Sequence, residues 1–211
     1  MGIQPTAVPD AYRITPRLRP DSRGNFFESY KRDELAAATG HLFTPQQVNY
    51  STSARNTLRG LHGVAFPPGQ AKYVSCVRGR LLDVVVDVRP GSPAYGTHVT
   101  TVLDAAEGTA VYVAEGLAHG FVALTDDACI SYLCSTQFVP GTQFDIQPFD
   151  PELAVPWERW LDGEPLLSDK DLKAPTLAEL ARRGVLSGYD ECRELYERQR
   201  REWQQQERRQ R

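Results

Sequence analysis

The sequence predicts an all-β fold, an antiparallel sandwich or barrel. Six short runs of β-forming residues follow one another through the middle of the chain, separated by Gly, Pro and Asp. Arg78-Gly79, between the first two runs, suits a tight turn because glycine accepts a positive φ. The predicted strands are Lys72 to Val77, Leu81 to Val88, Val99 to Leu103, Ala110 to Val113, Gly120 to Leu124 and Cys129 to Phe138.

Length and composition favour one main domain. The chain has 211 residues, 41% of them hydrophobic, which is enough for one sizeable core. The formal net charge of -3 argues against a nucleic-acid surface, since phosphate binding needs a concentrated basic face. No stretch approaches the ~18 apolar residues that span a membrane, and the N-terminus lacks a signal-peptide pattern. We therefore expect a cytoplasmic protein with no nucleic-acid or membrane partner.

The four cysteines are expected to be reduced packing thiols. They show neither the CxxC spacing of metal ligands nor the density of a small disulfide framework. They are Cys76, Cys129, Cys134 and Cys192.

Helices are predicted mainly at the edges of the chain. Lys31 to Gly40 forms a short helix with a glycine stop, and Thr176 to Arg183 forms another that ends at Gly184. We expect a domain of residues 1–188 followed by a charged tail of residues 189–211, either helical or disordered. An apolar stripe in the tail permits loose docking, but its charge favours a solvated helix over one that binds a partner. The stripe consists of Cys192, Leu195, Tyr196 and Trp203.

Two histidines lie in distinctive local sequences. His62 follows Arg59-Gly60-Leu61, where glycine permits a close approach of backbone or ligand, and His119 lies in a glycine-bracketed turn. Each histidine alone is more often structural than functional. A cupin metal site needs a His-x-His pair and a glutamate on one hairpin, but Val64 is the residue two after His62 and no Glu lies between His62 and Asp87. A metal centre is therefore not expected, and His62 is free to act as a base.

Lys72 and Tyr132 are further candidates because strand alternation turns both inward. Lys72 shares a face with Val74 and Cys76, where an ammonium needs an anionic partner or a ligand oxygen. An edge lysine in solvent explains that residue equally well. A buried phenol such as Tyr132 usually bonds to the backbone, but it can also give a proton to a carbanion.

Seven motifs, spread over the chain to about Gly188, form a highly specific pattern. They are Asp21-Ser22-Arg23-Gly24-Asn25-Phe26-Phe27-Glu28-Ser29-Tyr30, Gln47-Val48-Asn49, Arg59-Gly60-Leu61-His62, Gln70-Ala71-Lys72, Asp83-Val84-Val85-Val86-Asp87-Val88-Arg89-Pro90-Gly91-Ser92-Pro93, Glu115-Gly116-Leu117-Ala118-His119-Gly120-Phe121 and Leu167-Ser168-Asp169-Lys170-Asp171. This pattern resembles the dTDP-4-dehydrorhamnose 3,5-epimerases.

The resemblance implies an all-β, cupin-type antiparallel jelly roll with short peripheral helices. It further implies a homodimer that needs no cofactor and acts on a dTDP-linked 4-keto-6-deoxy sugar. In that family the residue matching His62 is the general base, Asp171 tunes it, Tyr132 is the acid on the opposite face and Lys72 holds the enolate oxygen. The other implied site residues are Arg23, Phe26, Glu28, Gln47, Asn49, Arg59, His119, Phe138 and Lys170.

Some local sequences depart from the pattern of the rhamnose-pathway enzymes. Phe138 replaces a tyrosine, so stacking survives while a hydroxyl is lost, and Gln143-Phe144-Asp145 replaces a segment that commonly carries Glu, Arg and Gly. Other segments are more similar to relatives from antibiotic-sugar pathways, some of which invert only carbon 3 or carbon 5. The resemblance therefore implies an epimerase whose number of inverted centres stays open. A metal-dependent cupin and a catalytically silent sugar-nucleotide-binding cupin are the competing hypotheses.

Overall fold

The computed structural model describes residues 1–210, and in this part of the chain two large antiparallel sheets pack face to face. The strands are β1 (Gly2–Pro5), β2 (Ala11–Thr15), β3 (Arg19–Asp21), β4 (Gly24–Phe26), β5 (Gln47–Ser53), β6 (Leu58–Val64), β7 (Lys72–Arg78), β8 (Arg80–Asp87), β9 (His98–Asp104), β10 (Ala110–Val113), β11 (Leu117–Ala123), β12 (Ala128–Cys134) and β13 (Gln143–Asp145). The helices are α1 (Arg32–Thr39), α2 (Asp169–Leu172), α3 (Leu177–Arg182) and α4 (Tyr189–Gln210), with a 3₁₀ turn at Trp157–Arg159.

The two sheets interleave strands that are distant in sequence. One has the order β1-β2-β10-β7-β12-β5, the other has the order β13-β6-β11-β8-β9, and β3 pairs with β4 in a separate hairpin. Every one of these pairings is antiparallel. The prediction of an antiparallel sandwich with peripheral helices is therefore confirmed.

Strand β8 shows how alternation builds two apolar layers. Leu81 and Val85 point into the space between the sheets, where they join the main core. Leu82, Val84 and Val86 point the other way and join a second buried cluster. That outer cluster is closed by the C-terminal segment, mainly by Leu153, Val155, Trp157, Leu177 and Leu180.

The strand predictions hold within one residue, except at two ends. The strand predicted from Gly120 already begins at Leu117, so His119 lies within β11 and not in a turn. The strand predicted to reach Phe138 ends at Cys134. Ser135 still donates its N–H to the Ala71 carbonyl at 2.9 Å, but the Ala71 N–H bonds to the Ser135 hydroxyl at 2.8 Å instead of to the backbone, so the ladder stops there. The β-forming residues Thr136, Phe138 and Val139 follow in the sequence, so composition does not mark this end.

The short helices end where their caps predict. Gly40 follows α1 with a φ of 75°, and its N–H bonds to the Ala36 carbonyl. Thr176 and Glu179 form a reciprocal capping box at the start of α3. The four cysteines are free thiols, as the sequence predicts.

The first half of the tail helix corrects the expectation of a solvated tail. Cys192, Leu195 and Tyr196 of α4 are buried in the main core. Tyr196 also accepts a hydrogen bond from Arg89 at 3.2 Å and donates one to the carbonyl of Glu115. The tail sequence does not reveal that Tyr196 bonds to the buried Arg89, and this contact helps to hold α4 against the core.

Arg89 is the centre of a buried ionic network. Its guanidinium bonds Asp87 at 2.7 Å and Asp10 at 2.8 Å, and both Arg89 and Asp87 have 0% side-chain exposure. Removing one partner of such a pair leaves an uncompensated buried charge.

No helix within residues 1–210 combines the length and apolar character needed to cross a membrane.

We predict that Arg89→Ala lowers the free energy of unfolding by about 3–5 kcal/mol, because it leaves the Asp87 carboxylate buried without its cation. Urea denaturation followed by circular dichroism measures this loss. Arg193→Ala is the matched control, since the Arg193 side chain on α4 is 57% exposed and pairs weakly with Glu197 at 3.9 Å. Equal losses in the two variants would contradict the assigned role of Arg89.

Candidate active site

A cavity of about 330 Å³ opens between the two sheets. The six-stranded sheet forms one wall through β5, β7 and β12, and the five-stranded sheet forms the other through β6, β11 and β13. Both walls carry polar side chains that alternate with core residues along their strands. The polar lining includes Asn49, Ser51, Lys72, Tyr132 and Cys134 on the first wall, and Arg59, His62, His119 and Gln143 on the second, with Lys170 at the side.

His62 on β6 is held from behind by Asp171. The His62 Nε2 lies 2.7 Å from Asp171 Oδ1. Because a carboxylate only accepts, Nε2 carries the proton and Nδ1 is left with a free lone pair. Ser168 caps α2 by accepting from the Asp171 N–H at 3.1 Å, which aims the carboxylate at the imidazole.

The surroundings of Asp171 favour its ionised form. Burial alone would raise the pKa of this carboxyl, but hydrogen bonds from His62, Ser168 and the Gly60 backbone, together with the charge of His62, bring it below its ordinary value. Asp171 therefore stays a carboxylate at neutral pH and fixes the His62 tautomer.

Asp145 is a second carboxylate beside His62. The ladder between β13 and β6 pairs Asp145 directly with His62, and Asp145 Oδ1 lies 3.7 Å from Nε2. The ammonium of Lys170 lies 2.9 Å from the same Oδ1. Sequence reasoning missed this residue, because the register that pairs it with His62 is visible only in the fold.

His119 and Asp83 form a buried pair at the floor of the cavity. Both point inward from neighbouring strands, and His119 Nε2 donates to Asp83 Oδ2. The other oxygen, Asp83 Oδ1, is buried with no hydrogen-bond partner among the described residues. Asp83 shares the inward face of its strand with Leu81 and Val85. That pattern is a sequence signal for this residue, and it was not used to predict the site.

Lys72 and Tyr132 lie on the wall opposite His62. Burial lowers the pKa of Lys72, while Cys134 and Asp83 act in the opposite direction. Burial raises the pKa of Tyr132, so its phenol keeps its proton at neutral pH. The Tyr132 ring meets His119 edge to face, with centroids 5.9 Å apart.

Most of the residues expected at the site come together in this single chain. Gln47 and Phe138 do not line the cavity directly: Gln47 donates to the lining residue Asn49 at 2.9 Å, and the Phe138 N–H donates to Gln47 Oε1 at 2.8 Å. Asp171 reaches the cavity through His62. The residues that line the cavity directly are Asn49, Arg59, His62, Lys72, His119, Tyr132 and Lys170.

Three expected pocket residues lie away from the cavity of their own chain. Arg23 and Phe26 belong to the separate β3–β4 hairpin, where Arg23 pairs with Asp21 at 2.7 Å and Phe26 is 64% exposed. Glu28 pairs with Lys31 at 2.8 Å. That these residues line the pocket stays a prediction: within residues 1–210 the hairpin pairs with neither of the large sheets.

The fold also groups three side chains of types that bind metals. Ligand atoms of His62, Asp145 and Asp171 all lie within 4.8 Å of one another. The fit to a metal is poor, since His62 and Asp171 bond each other and Lys170 places a positive charge on Asp145. Sequence reasoning sought ligands only between His62 and Asp87, so it overlooked this group. A site without metal stays a prediction.

Comparison with known proteins gives a consistent family assignment. A family model described as dTDP-4-dehydrorhamnose 3,5-epimerase matches residues 5–179. The chain is 45% identical over 192 residues to a dTDP-4-dehydrorhamnose 3-epimerase of Streptomyces niveus, covering 91% of both chains. It is 42% identical over 197 residues to a dTDP-4-dehydrorhamnose 3,5-epimerase of Mycolicibacterium smegmatis, covering 93% of this chain and 96% of that protein.

Solved structures agree in fold. An epimerase of Mycobacterium tuberculosis superposes with a TM-score of 0.91 at 42% identity, covering 94% of this chain and 100% of that one. A 3'-monoepimerase of Streptomyces bikiniensis, solved with dTDP-quinovose, gives a TM-score of 0.87 at 44% identity, covering 93% of this chain and 98% of that one. These neighbours confirm the cupin-type jelly roll.

We predict that Gly60→Ala destabilises the wall that carries His62. Gly60 has a φ of 114°, and a Cβ there would lie 2.7 Å from the Gly120 Cα and 2.9 Å from the His119 carbonyl oxygen. Such a clash between two backbones costs about 2–4 kcal/mol and separates β6 from β11.

Thermal unfolding measures the loss, and Gly96→Ala is the control for Gly60→Ala. Gly96 has a φ of 79°, but its Cβ would meet no atom within 4 Å. This control loses only the about 1 kcal/mol of left-handed strain. A Gly60→Ala protein as stable as Gly96→Ala would show that the close approach is unimportant.

Proposed function

The chain belongs to the dTDP-4-dehydrorhamnose 3,5-epimerase family and is an isomerase, and from that premise we propose its substrate, its inverted carbons and the roles of its residues. It takes a dTDP-linked 4-keto-6-deoxy sugar and inverts carbon 3, carbon 5 or both through an enolate. This fits deoxysugar biosynthesis of the rhamnose or antibiotic-sugar type. The observation that carries the proposal is a histidine base and a phenol on opposite walls of one cavity.

His62 is the proposed general base. Its Nδ1 lone pair is left free when Nε2 donates to Asp171 at 2.7 Å. A neutral imidazole with a free nitrogen lone pair can accept a proton from carbon. The carboxylate behind it stabilises the imidazolium that then forms.

Lys72 is the proposed stabiliser of the enolate oxygen. A proton on a carbon next to a ketone becomes removable when the negative charge on the ketone oxygen is stabilised, and a preorganised cation does this without solvent reorganisation. Burial disfavours the charged ammonium of Lys72 and lowers its pKa. An oxyanion formed beside the ammonium compensates for the lost solvation. His119, hydrogen-bonded to Asp83, is the second polar group at this part of the cavity.

Tyr132 is the proposed acid. Inversion needs a proton delivered to the face opposite the one from which it left, and β12 carries Tyr132 on the sheet that faces β6. A phenol whose pKa is raised by burial retains its proton at neutral pH and can donate it to a carbanion.

The remaining polar groups support binding of the nucleotide-sugar. Arg59 and Lys170 are cations at the cavity and suit a diphosphate. Asn49, Gln47 and Phe138 lie on or beside the wall formed by β5 and β12 and suit contacts at the rim. The absence of a cofactor and a cytoplasmic location stay predictions.

We also propose a homodimer in which the β3–β4 hairpin of one copy completes the cavity of the other. Strand β5 is an unpaired edge of its sheet, with Val48 51% and Tyr50 65% exposed. Phe26 on the hairpin is 64% exposed. A second copy that covers these surfaces accounts for the distance of Arg23, Phe26 and Glu28 from their own cavity.

The epimerase proposal predicts exchange of carbon-bound hydrogen with solvent. Incubation with dTDP-4-keto-6-deoxyglucose in heavy water should introduce deuterium at carbon 3, carbon 5 or both, as proton and deuterium spectra reveal. The configuration at each carbon shows which centres invert. A His62→Asn variant should lose this exchange by a factor of at least about 10²–10⁴. Wild-type protein that binds the substrate but exchanges nothing would instead be a silent binding protein.

Tyr132→Phe separates the acid from the base. The substitution removes only the phenolic oxygen, so we expect exchange at the face of His62 to continue while inversion falls by about 10²–10⁴-fold. Tyr95→Phe is the matched control, because Tyr95 is 39% exposed, does not line the cavity, and its loss of a hydroxyl should leave inversion unchanged. Normal inversion in Tyr132→Phe would remove the role assigned to this residue.

The dimer proposal predicts complementation between two inactive proteins. His62→Asn removes the base, and Phe26→Ala with Arg23→Ala removes the hairpin contacts. After subunit exchange in an equal mixture, about half of the dimers are hybrids, and each hybrid carries one intact site out of two. The mixture should therefore recover about a quarter of wild-type activity. Sedimentation velocity checks that dimers form. Dimers without recovery would place the hairpin outside the site.

A further inference from the structure

Two carboxylates, not one, lie against the same nitrogen of His62. Asp171 Oδ1 is 2.7 Å from Nε2 and Asp145 Oδ1 is 3.7 Å from it. They come from different elements, since Asp171 lies on α2 and Asp145 lies on β13. The ladder pairs Asp145 with His62 residue for residue, so this approach is built into the sheet.

Asp145 is largely enclosed and lies beside one cation. Its side chain is 19% exposed, and its Oδ1 pairs with Lys170 Nζ at 2.9 Å. The Lys170 side chain is 60% exposed, so solvent screens the ammonium more than it screens the carboxylate. The negative charge of Asp145 therefore acts on His62 with only part of its effect cancelled.

A count of charges shows what Asp145 changes. With neutral His62, the group formed with Asp145, Lys170 and Asp171 carries one net negative charge, and protonation of His62 brings it to zero. Without Asp145, the same group is neutral before protonation and positive after it. An imidazolium is thus better stabilised when Asp145 is present.

We propose that Asp145 is a positioning residue whose carboxylate, paired with Lys170, stabilises the imidazolium that His62 becomes when it takes the substrate's proton. This inference rests on the proposed function of His62 as the base. In the step concerned, the bond between carbon and hydrogen breaks, the proton goes to Nδ1 and the electron pair becomes the enolate. Asp145 touches none of the reacting atoms and acts through His62.

Other charged and titratable groups also face His62 or share its cavity. None of them is changed in the variants compared below. Arg59 lies on the same strand, and His119 is the cross-strand neighbour of His62 on the side opposite Asp145. The remaining groups are Asp83 behind His119, and Lys72, Tyr132 and Cys134 on the facing wall.

The test compares one variant that removes a negative charge near His62 with one that removes a positive charge. Asp145→Asn removes a negative charge, so His62 should become a weaker base. The acidic limb of the kcat profile for deuterium exchange should then move to lower pH by about 0.5–1 unit, with a lower plateau. Lys170→Met removes a positive charge, so the acidic limb should move to higher pH. Because kcat reports the enzyme–substrate complex, weaker substrate binding by Lys170→Met does not disturb the comparison.

Asp169→Asn is the matched control, because Asp169 is on α2, its side chain is 90% exposed and its nearest cation is Lys173 at 3.8 Å. Its profile should match the wild type. A structural defect lowers the rate in any variant, but it does not shift the acidic limb in opposite directions in two of them.

Titration of the His62 imidazole by NMR gives the same comparison without turnover. The midpoints should rank Lys170→Met above wild type and wild type above Asp145→Asn. An Asp145→Asn midpoint equal to the wild-type midpoint would overturn the inference, even if the enzyme is an active epimerase. Loss of exchange in wild type with the ranking intact would instead overturn the proposed function.

Discussion

The hydrogen bond between His62 and Asp171 ties two distant parts of the chain together, and the geometry of the site depends on it. His62 comes from β6, the second strand of the five-stranded sheet, whereas Asp171 comes from the four-residue helix α2, more than a hundred residues later. That helix has no apolar core of its own. Its position is set by the segment around Trp157 and Leu180, which packs on the outer face of the same sheet. The outer apolar cluster is thus what delivers the carboxylate to the base.

Strand β8 carries two aspartates with the same parity and different consequences. Asp83 lies near the cavity and holds His119, whereas Asp87, four residues later, binds the buried guanidinium of Arg89. At the first position a buried oxygen keeps spare hydrogen-bonding capacity, and at the second both oxygens are used. A free acceptor atom is typical of a site that binds a ligand, as at Asp83. Full use of both oxygens is typical of a structural ion pair, as at Asp87. The same strand alternation therefore places one aspartate at the floor of the cavity and another where Arg89 meets α4.

The sequence predicted the fold well wherever local chemistry decides it. Glycine stops, a capping box and strand alternation located the helices and turned Lys72 and Tyr132 inward. It failed where the outcome depends on partners distant in sequence. The pairing of Asp145 with His62 depends on sheet register, and the docking of Tyr196 depends on Arg89. The hairpin with Phe26 pairs with neither large sheet, and its motif alone does not show where the hairpin packs.

The two-walled cavity also constrains how inversion at one or two carbons is decided. Carbons 3 and 5 of a 4-keto sugar both neighbour the ketone, so Lys72 can stabilise the enolate formed on either side. With His62 held by Asp171 on one sheet and Tyr132 on the other, the roles proposed above place removal and return of the proton on opposite faces, whichever carbon is presented. The base and the acid are then the same for a single and a double epimerase. Under these roles the number of inverted centres depends on the groups that orient the ring, and Asn49 and Gln143 are two of the polar side chains that line the cavity.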